Sequence, residues 1–210
     1  MFTTTAVPAL SRPGFRAAVP IALAAAILVG GARAARAQAV PDTKTGFEFL
    51  VASGSLVPTG AQRDVIKRGN LSAAQLSYVV RPGVAITTTV GWARSRDLAS
   101  AGAPKLDVFT YDVGAELRAK RWLWSARVTF SPFVGVGAGG RSYNYRSLNV
   151  DATHNLAAYG SAGGELGYRR VRLRLELRDY VTGFQPLVGA GPTAGRNDVA
   201  LIAGLRFTGR

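Results

Sequence analysis

The 210-residue chain holds 26 Lys and Arg against 12 Asp and Glu, a formal charge of +14, with one His and no Cys. The absence of cysteine excludes disulfides, thiol chemistry and thiolate metal sites, and a lone histidine excludes a histidine-cluster metal centre. The length suits one domain behind an export segment, and an exported chain, however basic, is not expected to meet nucleic acid.

Residues 1–37 read as a cleaved secretory signal peptide. Arg12 and Arg16 give a positive start, residues 19–29 form a short apolar run, and Ala35-Arg36-Ala37 offers small residues at a cleavage site before Gln38. Ala37-Gln38-Ala39 is an equally legal site, with cleavage before Val40. A membrane-anchoring helix is the rival reading, but a bilayer span needs about 20 apolar residues. Removing the segment takes four arginines and no acid, which lowers the formal charge to +10. No long apolar run follows, so a membrane crossing would have to be made by strands.

Eight segments of period-two alternation follow, and that period predicts β-strands. Around 46–57, Phe47, Phe49 and Val51 share a face; around 70–80, Leu76, Tyr78 and Val80 do. Residues 84–94 align Val84, Ile86, Thr88, Val90 and Trp92, and 106–118 align Phe109, Tyr111, Val113, Ala115 and Leu117. The fifth segment, 123–139, carries Trp124, Ala126, Val128, Phe130, Val134 and Val136. The sixth, 155–168, is weaker, with Leu156, Ala158, Ala162, Leu166 and Tyr168. The seventh, 170–182, contains the strict alternation Val171 to Arg178, and the eighth, 198–208, aligns Val199, Leu201, Ala203, Leu205 and Phe207.

The connections alternate in length. Arg81-Pro82-Gly83, Ala119-Lys120-Arg121 and Arg169-Arg170 read as short turns, whereas 58–69, 95–105, 140–154 and 183–197 read as long polar loops. Short turns at one end and long loops at the other are the pattern of an antiparallel up-and-down transmembrane β-barrel, an all-β fold, here with eight strands over 43–208. A soluble barrel with an apolar interior gives no reason for such segregation.

The strand faces support the same choice. Val171, Leu173, Leu175, Leu177, Val199, Leu201, Leu205 and Phe207 are expected to face lipid. Opposite them, Glu48, Asp112, Glu116, Arg127, Glu165, Arg172, Arg174, Glu176, Arg178 and Arg206 are expected to form a charge network that fills the lumen. Five acids against five bases suit a closed space, where an unpaired charge is costly. Trp92, Trp122, Trp124, Tyr78, Tyr168 and Tyr180 lie near segment ends and are expected in interfacial girdles. Pro132 cannot donate to a ladder and predicts a bulge or break.

With these features the chain resembles the small OmpA-like and OmpX-like eight-stranded outer-membrane barrels of the porin family, over about residues 43–208. The resemblance rests on signal peptide, alternation, loop asymmetry and an aromatic-ended last strand rather than on a fingerprint motif. It implies residence in the cell outer membrane, export through the Sec route and handling by the barrel-assembly machinery, which in that family reads a terminal aromatic residue. Phe207 matches in kind but is followed by Thr208-Gly209-Arg210.

Candidate chemistry is sparse. Gly135-Val136-Gly137-Ala138-Gly139-Gly140 satisfies G-x-G-x-x-G, but no acid stands about 20 residues on, and inward glycines that make room for long arginines are the better reading. His154 with Ser142 or Ser147 and Asp151 could form a Ser-His-acid arrangement at the outer rim; a solvated loop histidine is the simpler reading. Arg63, Lys67, Arg68, Arg94, Arg96, Lys105, Arg141, Arg146 and Arg196 fall on the long-loop side, where guanidinium groups suit the phosphates of lipopolysaccharide and other outer-membrane lipids. Tyr143 and Tyr145 between Arg141 and Arg146 could grip a sugar. No catalytic residue, cofactor or metal site is expected, and the chain is expected to be a monomer. The reading is therefore a non-enzymatic barrel with a structural or cell-surface interaction role. A narrow channel for ions or small solutes is the first alternative, and a lipid-A-modifying enzyme the second.

Overall fold

A computed structural model describes residues 39–40, 45–125, 127–184 and 194–209. The export segment expected at 1–37 lies outside these residues. Ten strands follow one another: β1 (Ala39–Val40), β2 (Gly46–Pro58), β3 (Gly69–Arg81), β4 (Val84–Arg96), β5 (Lys105–Arg118), β6 (Arg121–Ser125), β7 (Val128–Tyr145), β8 (Thr153–Tyr168), β9 (Val171–Phe184) and β10 (Ala194–Thr208). Eight of them are long, all neighbours are antiparallel, and each long strand pairs with two others. The β7–β8 pairing closes the sheet on itself. The result is an eight-stranded up-and-down barrel, which leaves no unpaired strand edge.

The alternation seen in the sequence is the alternation of burial. On β9, Arg172, Arg174, Glu176 and Arg178 are buried, while Val171, Leu173, Leu175 and Leu177 are exposed. On β10, Leu201, Leu205 and Phe207 are exposed and Arg206 is fully buried. Phe47, Phe49, Val51, Ile86, Val90, Val113 and Val136 extend the outward apolar belt around the barrel. A one-residue slip of any of these strands would exchange the two sets.

Three boundaries differ from the sequence expectation. The connection between β5 and β7 is not a three-residue turn. Residues 121–125 form β6, a short arm whose Trp122 and Leu123 pair with Phe130 and Thr129 of β7. Strand β7 therefore starts only at Val128, and it runs on to Tyr145 through residues expected in a loop. Pro132 sits in continuous pairing with Gly164, without the expected bulge. Its side toward β5 faces Ala119, just past the end of that strand, and the Pro132 carbonyl accepts from the Ala119 amide at 2.9 Å. The Ala119 carbonyl, which a non-proline residue would have served, accepts instead from Ser131 Oγ at 2.9 Å.

Gly137 of β7 and Gly114 of β5 make room for an aromatic ring rather than for arginines, while Gly135 and Gly139 allow close approach of Ser161 and of the Tyr111 carbonyl. A Cβ at Gly137 would lie 2.5 Å from the Tyr159 ring, and one at Gly114 would lie 2.3 Å from its hydroxyl. Tyr159 thus lies flat across two neighbouring strands inside the barrel.

Candidate functional site

The lumen is the largest concentration of charge in the molecule, and it has two tiers. Toward the short-turn end, side chains of β2, β5, β8, β9 and β10 converge. Glu48 accepts from Arg118 at 2.6 Å, from Arg172 at 3.3 Å and from Arg206 at 3.3 Å. Glu165 accepts from Arg174 at 2.8 Å and pairs with Arg206 at 3.0 Å. Glu116 is shared among Arg118, Arg174 and Arg206. Glu176 joins the two arginines that flank it on its own strand, with Arg174 Nε at 3.0 Å and Arg178 Nε at 2.9 Å. Asp112 accepts from Tyr180 at 2.6 Å and from Arg178 at 3.3 Å. Arg174 also lies 3.5 Å over the Phe133 ring and Arg178 4.3 Å over that of Tyr159. Every carboxylate here has more than one donor, the condition under which buried charge is tolerated.

Of the ten residues expected in the network, nine lie in it and Arg127 does not. Because β6 folds back on β7, Arg127 falls in the tip between them and is exposed. Arg118 supplies the fifth guanidinium of this tier. It has the same inward parity as Asp112 and Glu116, so alternation alone could have found it.

Toward the long-loop end the lumen turns apolar. Leu56, Leu71, Ile66, Leu106, Val108, Tyr143, Tyr145, Phe184 and Ile202 pack into one cluster. A 3₁₀ turn over Gly60–Asp64 lies above it, with Gln62 and Ile66 buried beneath the loop surface. Three expectations are corrected by this tier. Arg141, placed with the outer loop cations, is buried and pairs with Asp198, its guanidinium 4.1 Å over the Tyr180 ring. Tyr143 and Tyr145 are buried rather than presented to a sugar, and Tyr145 donates to Asp97 at 2.7 Å. Tyr180, expected in a girdle, points into the lumen. The first two follow from β7 continuing with unbroken parity into a segment rich in Tyr, Asn and Arg, and the third from Tyr180 sharing the inward parity of Arg178 on β9.

The other girdle aromatics are outward. At the short-turn end Phe47 meets Tyr78 at 4.9 Å, and Phe130 lies 5.8 Å from Trp122 and 5.9 Å from Trp124. At the opposite end Trp92 stacks on Phe109 at 6.4 Å. Near that rim His154 of β8 stands opposite Ser142 of β7, its Nδ1 2.6 Å from the Ser142 hydroxyl. Among the described residues no carboxylate hydrogen-bonds His154, so the structure brings together two members of the arrangement considered above and not a third. Exposed Arg146 is tied to Asp107, and these hydrogen bonds raise its guanidinium above the ordinary value.

No family model and no curated protein matches the sequence. Solved structures do match the fold. The crystal structure of Neisserial surface protein A superposes with a TM-score of 0.55 at 11% identity, over 80% of this chain and 100% of that one. The chain has the fold of the small outer-membrane β-barrels. Two further structures of this class match with lower TM-scores. Outer membrane protein AlkL has a TM-score of 0.46 at 13% identity, with 84% of this chain and 96% of that one covered. The N-terminal barrel domain of Pseudomonas aeruginosa OprF has 0.45 at 13%, with 78% and 100% covered. A fold of this kind hosts many roles, and the site has to assign one.

Proposed function

We propose that the chain is a non-enzymatic barrel of the cell outer membrane with a structural or cell-surface interaction role. Export behind a cleaved signal peptide and handling by the barrel-assembly machinery belong to this reading. The membrane part rests on the outward belt: Leu173, Leu175, Leu201, Leu205 and Phe207 face outward together, an exterior suited to lipid and unsuited to water. The observation that carries the role is the plugged lumen. A charge network with shared carboxylates occupies one half and an aromatic and aliphatic cluster occupies the other.

Two measurements test this. The folded chain should migrate differently on a gel before and after heating in detergent, and extraction in buffer without detergent would sink the membrane assignment. In planar bilayers it should give no reproducible conductance steps; steps abolished by replacing Arg174 and Glu176 would favour a narrow channel instead.

One observation favours a second reading, a lipid-modifying activity at the rim. The Ser142–His154 hydrogen bond has the geometry of a nucleophile and its base. Mass spectrometry of lipid A from cells with and without the protein tests it, and a change abolished by His154→Ala would overturn the non-enzymatic reading.

A further inference from the structure

The outer wall of the barrel is not evenly convex. Across β10, β2 and β3 the outward positions Ala203, Ser53, Ser72 and Ala74 are small, and Ser53 and Ser72 face each other in register. Large outward residues flank this floor, with Val51, Leu205 and Phe207 on one side and Val90, Trp92, Phe109 and Tyr111 on the other. They border an open apolar groove of about 920 Å³.

Register fixes what lies at its mouth. Ser72 is opposite Trp92, so the next outward row toward the long loops is Ser55, Asn70 and Arg94. That row lies about 7 Å above the floor, two residues of extended chain. Arg94 is held 4.2 Å over the Trp92 ring, which itself lines the groove. Arg68 donates from Nε to Ser55 Oγ at 2.7 Å, on the other side of Asn70. Arg96 follows Arg94 on the same outward face of β4. Two guanidinium groups fixed by neighbouring side chains thus stand directly above an apolar slot.

We propose that this groove holds an outer-leaflet lipid, its acyl chain along the Ser53–Ser72–Ala74–Ala203 floor and a headgroup phosphate between Arg68 and Arg94. The assignment rests on the membrane reading above and adds to it a specific site. Charge complementarity selects the occupant. A neutral partner helix or a second barrel could fill an apolar slot but would leave excess positive charge at its mouth, because Asp107, the carboxylate opposite Arg94, is already bonded by Arg146. A phosphate meets both with forked hydrogen bonds.

The test is native mass spectrometry of the detergent-folded chain with three probes: phosphorylated lipid A, the same lipid dephosphorylated, and inorganic phosphate. The wild-type chain should retain phosphorylated lipid about tenfold better than the dephosphorylated form, two cations near a membrane surface being enough for that. The Arg68→Gln/Arg94→Gln variant should lose the preference. Ser72→Phe and Ala74→Phe, which fill the slot, should each lose retention of both lipids while staying heat-modifiable. Equal retention of the two lipids by a heat-modifiable wild-type barrel overturns the site alone. So does displacement of the lipid by inorganic phosphate with the two Phe variants behaving as wild type, which would mark a free-phosphate site. Extraction of the chain in buffer without detergent overturns the membrane reading, and the site with it.

Discussion

Arg118 reaches Glu48 across the floor of the lumen, 2.6 Å from Nη1 to Oε2, although the two stand 70 positions apart in sequence. Glu48 also takes Arg172 and Arg206, so one carboxylate ties three strands to the first long strand of the barrel. Removing that charge takes one carboxylate from three buried guanidinium groups and leaves Glu116 and Glu165 to serve them all. Glu48→Gln should therefore cost about 3–5 kcal/mol of stability, the usual penalty for breaking a buried pair. Arg127→Gln, in the exposed tip before β7, should stay within about 0.5 kcal/mol. Urea titration of the heat-modifiable band measures both, and equal midpoints would show that the network does not hold the floor.

Much of this arrangement is legible from alternation, and its limits are physical. A strict apolar–charged strand such as 171–178 has one possible inside, because turning it over puts three arginines into lipid. Where both faces are apolar, alternation cannot choose. Leu50 and Val51 are adjacent, as are Leu201 and Ile202, yet one of each pair faces inward. The upper apolar tier is built from such positions, and so it was invisible. Strand ends are hidden for another reason. The Arg141–Tyr145 stretch has loop composition but keeps strand parity, and the tertiary partner Asp198 makes Arg141 an interior residue. The Ser142–His154 pair depended on the same extension, since it exists only if β7 reaches past residue 140. The outer groove needed register between four strands, which no single sequence prints.

Gly137 and Tyr159 form a second tight relationship. A methyl group on Gly137 would meet the Tyr159 ring at 2.5 Å and the Val113 carbonyl at 2.6 Å. Gly137→Ala should destabilise the barrel by about 1–3 kcal/mol through overpacking. Combining it with Tyr159→Leu should recover part of that loss. A double-mutant cycle on the unfolding midpoint reads the coupling, and strict additivity of the two changes would contradict the contact.

The outward belt makes a depth-dependent prediction. Leu175 lies in the middle of β9 and is half exposed, whereas Val57 is outward at the loop end of β2. Leu175→Arg should cost about 2–4 kcal/mol in a bilayer and Val57→Arg about 0–1. Folding yields into vesicles, compared at matched urea, decide it. Similar penalties at the two positions would be inconsistent with a bilayer centred on β9.

Arg141 is buried, lies over Tyr180 and pairs with Asp198, which also accepts from Gln62 Nε2 at 3.5 Å. Gln62 belongs to the 3₁₀ turn over the mouth of the barrel, so one carboxylate joins the lumen arginine to the loop above it. Arg141→Gln leaves Asp198 without its cation, and a buried carboxylate in that position draws in water or takes a proton. Either response weakens the Gln62 contact that seats the turn. The loop carries Arg63, Lys67 and Arg68, all exposed and all trypsin sites. Arg141→Gln should speed trypsin cleavage there while the barrel remains heat-modifiable, because the lower network is untouched. Arg146→Gln is the matched control: it takes a cation from Asp107 of β5 and not from the carboxylate that holds Gln62. Equal cleavage rates in the two variants would show that the Arg141–Asp198 pair does not hold the cap. Neither variant should conduct in planar bilayers, since Arg174, Glu116 and Glu165 still close the half below.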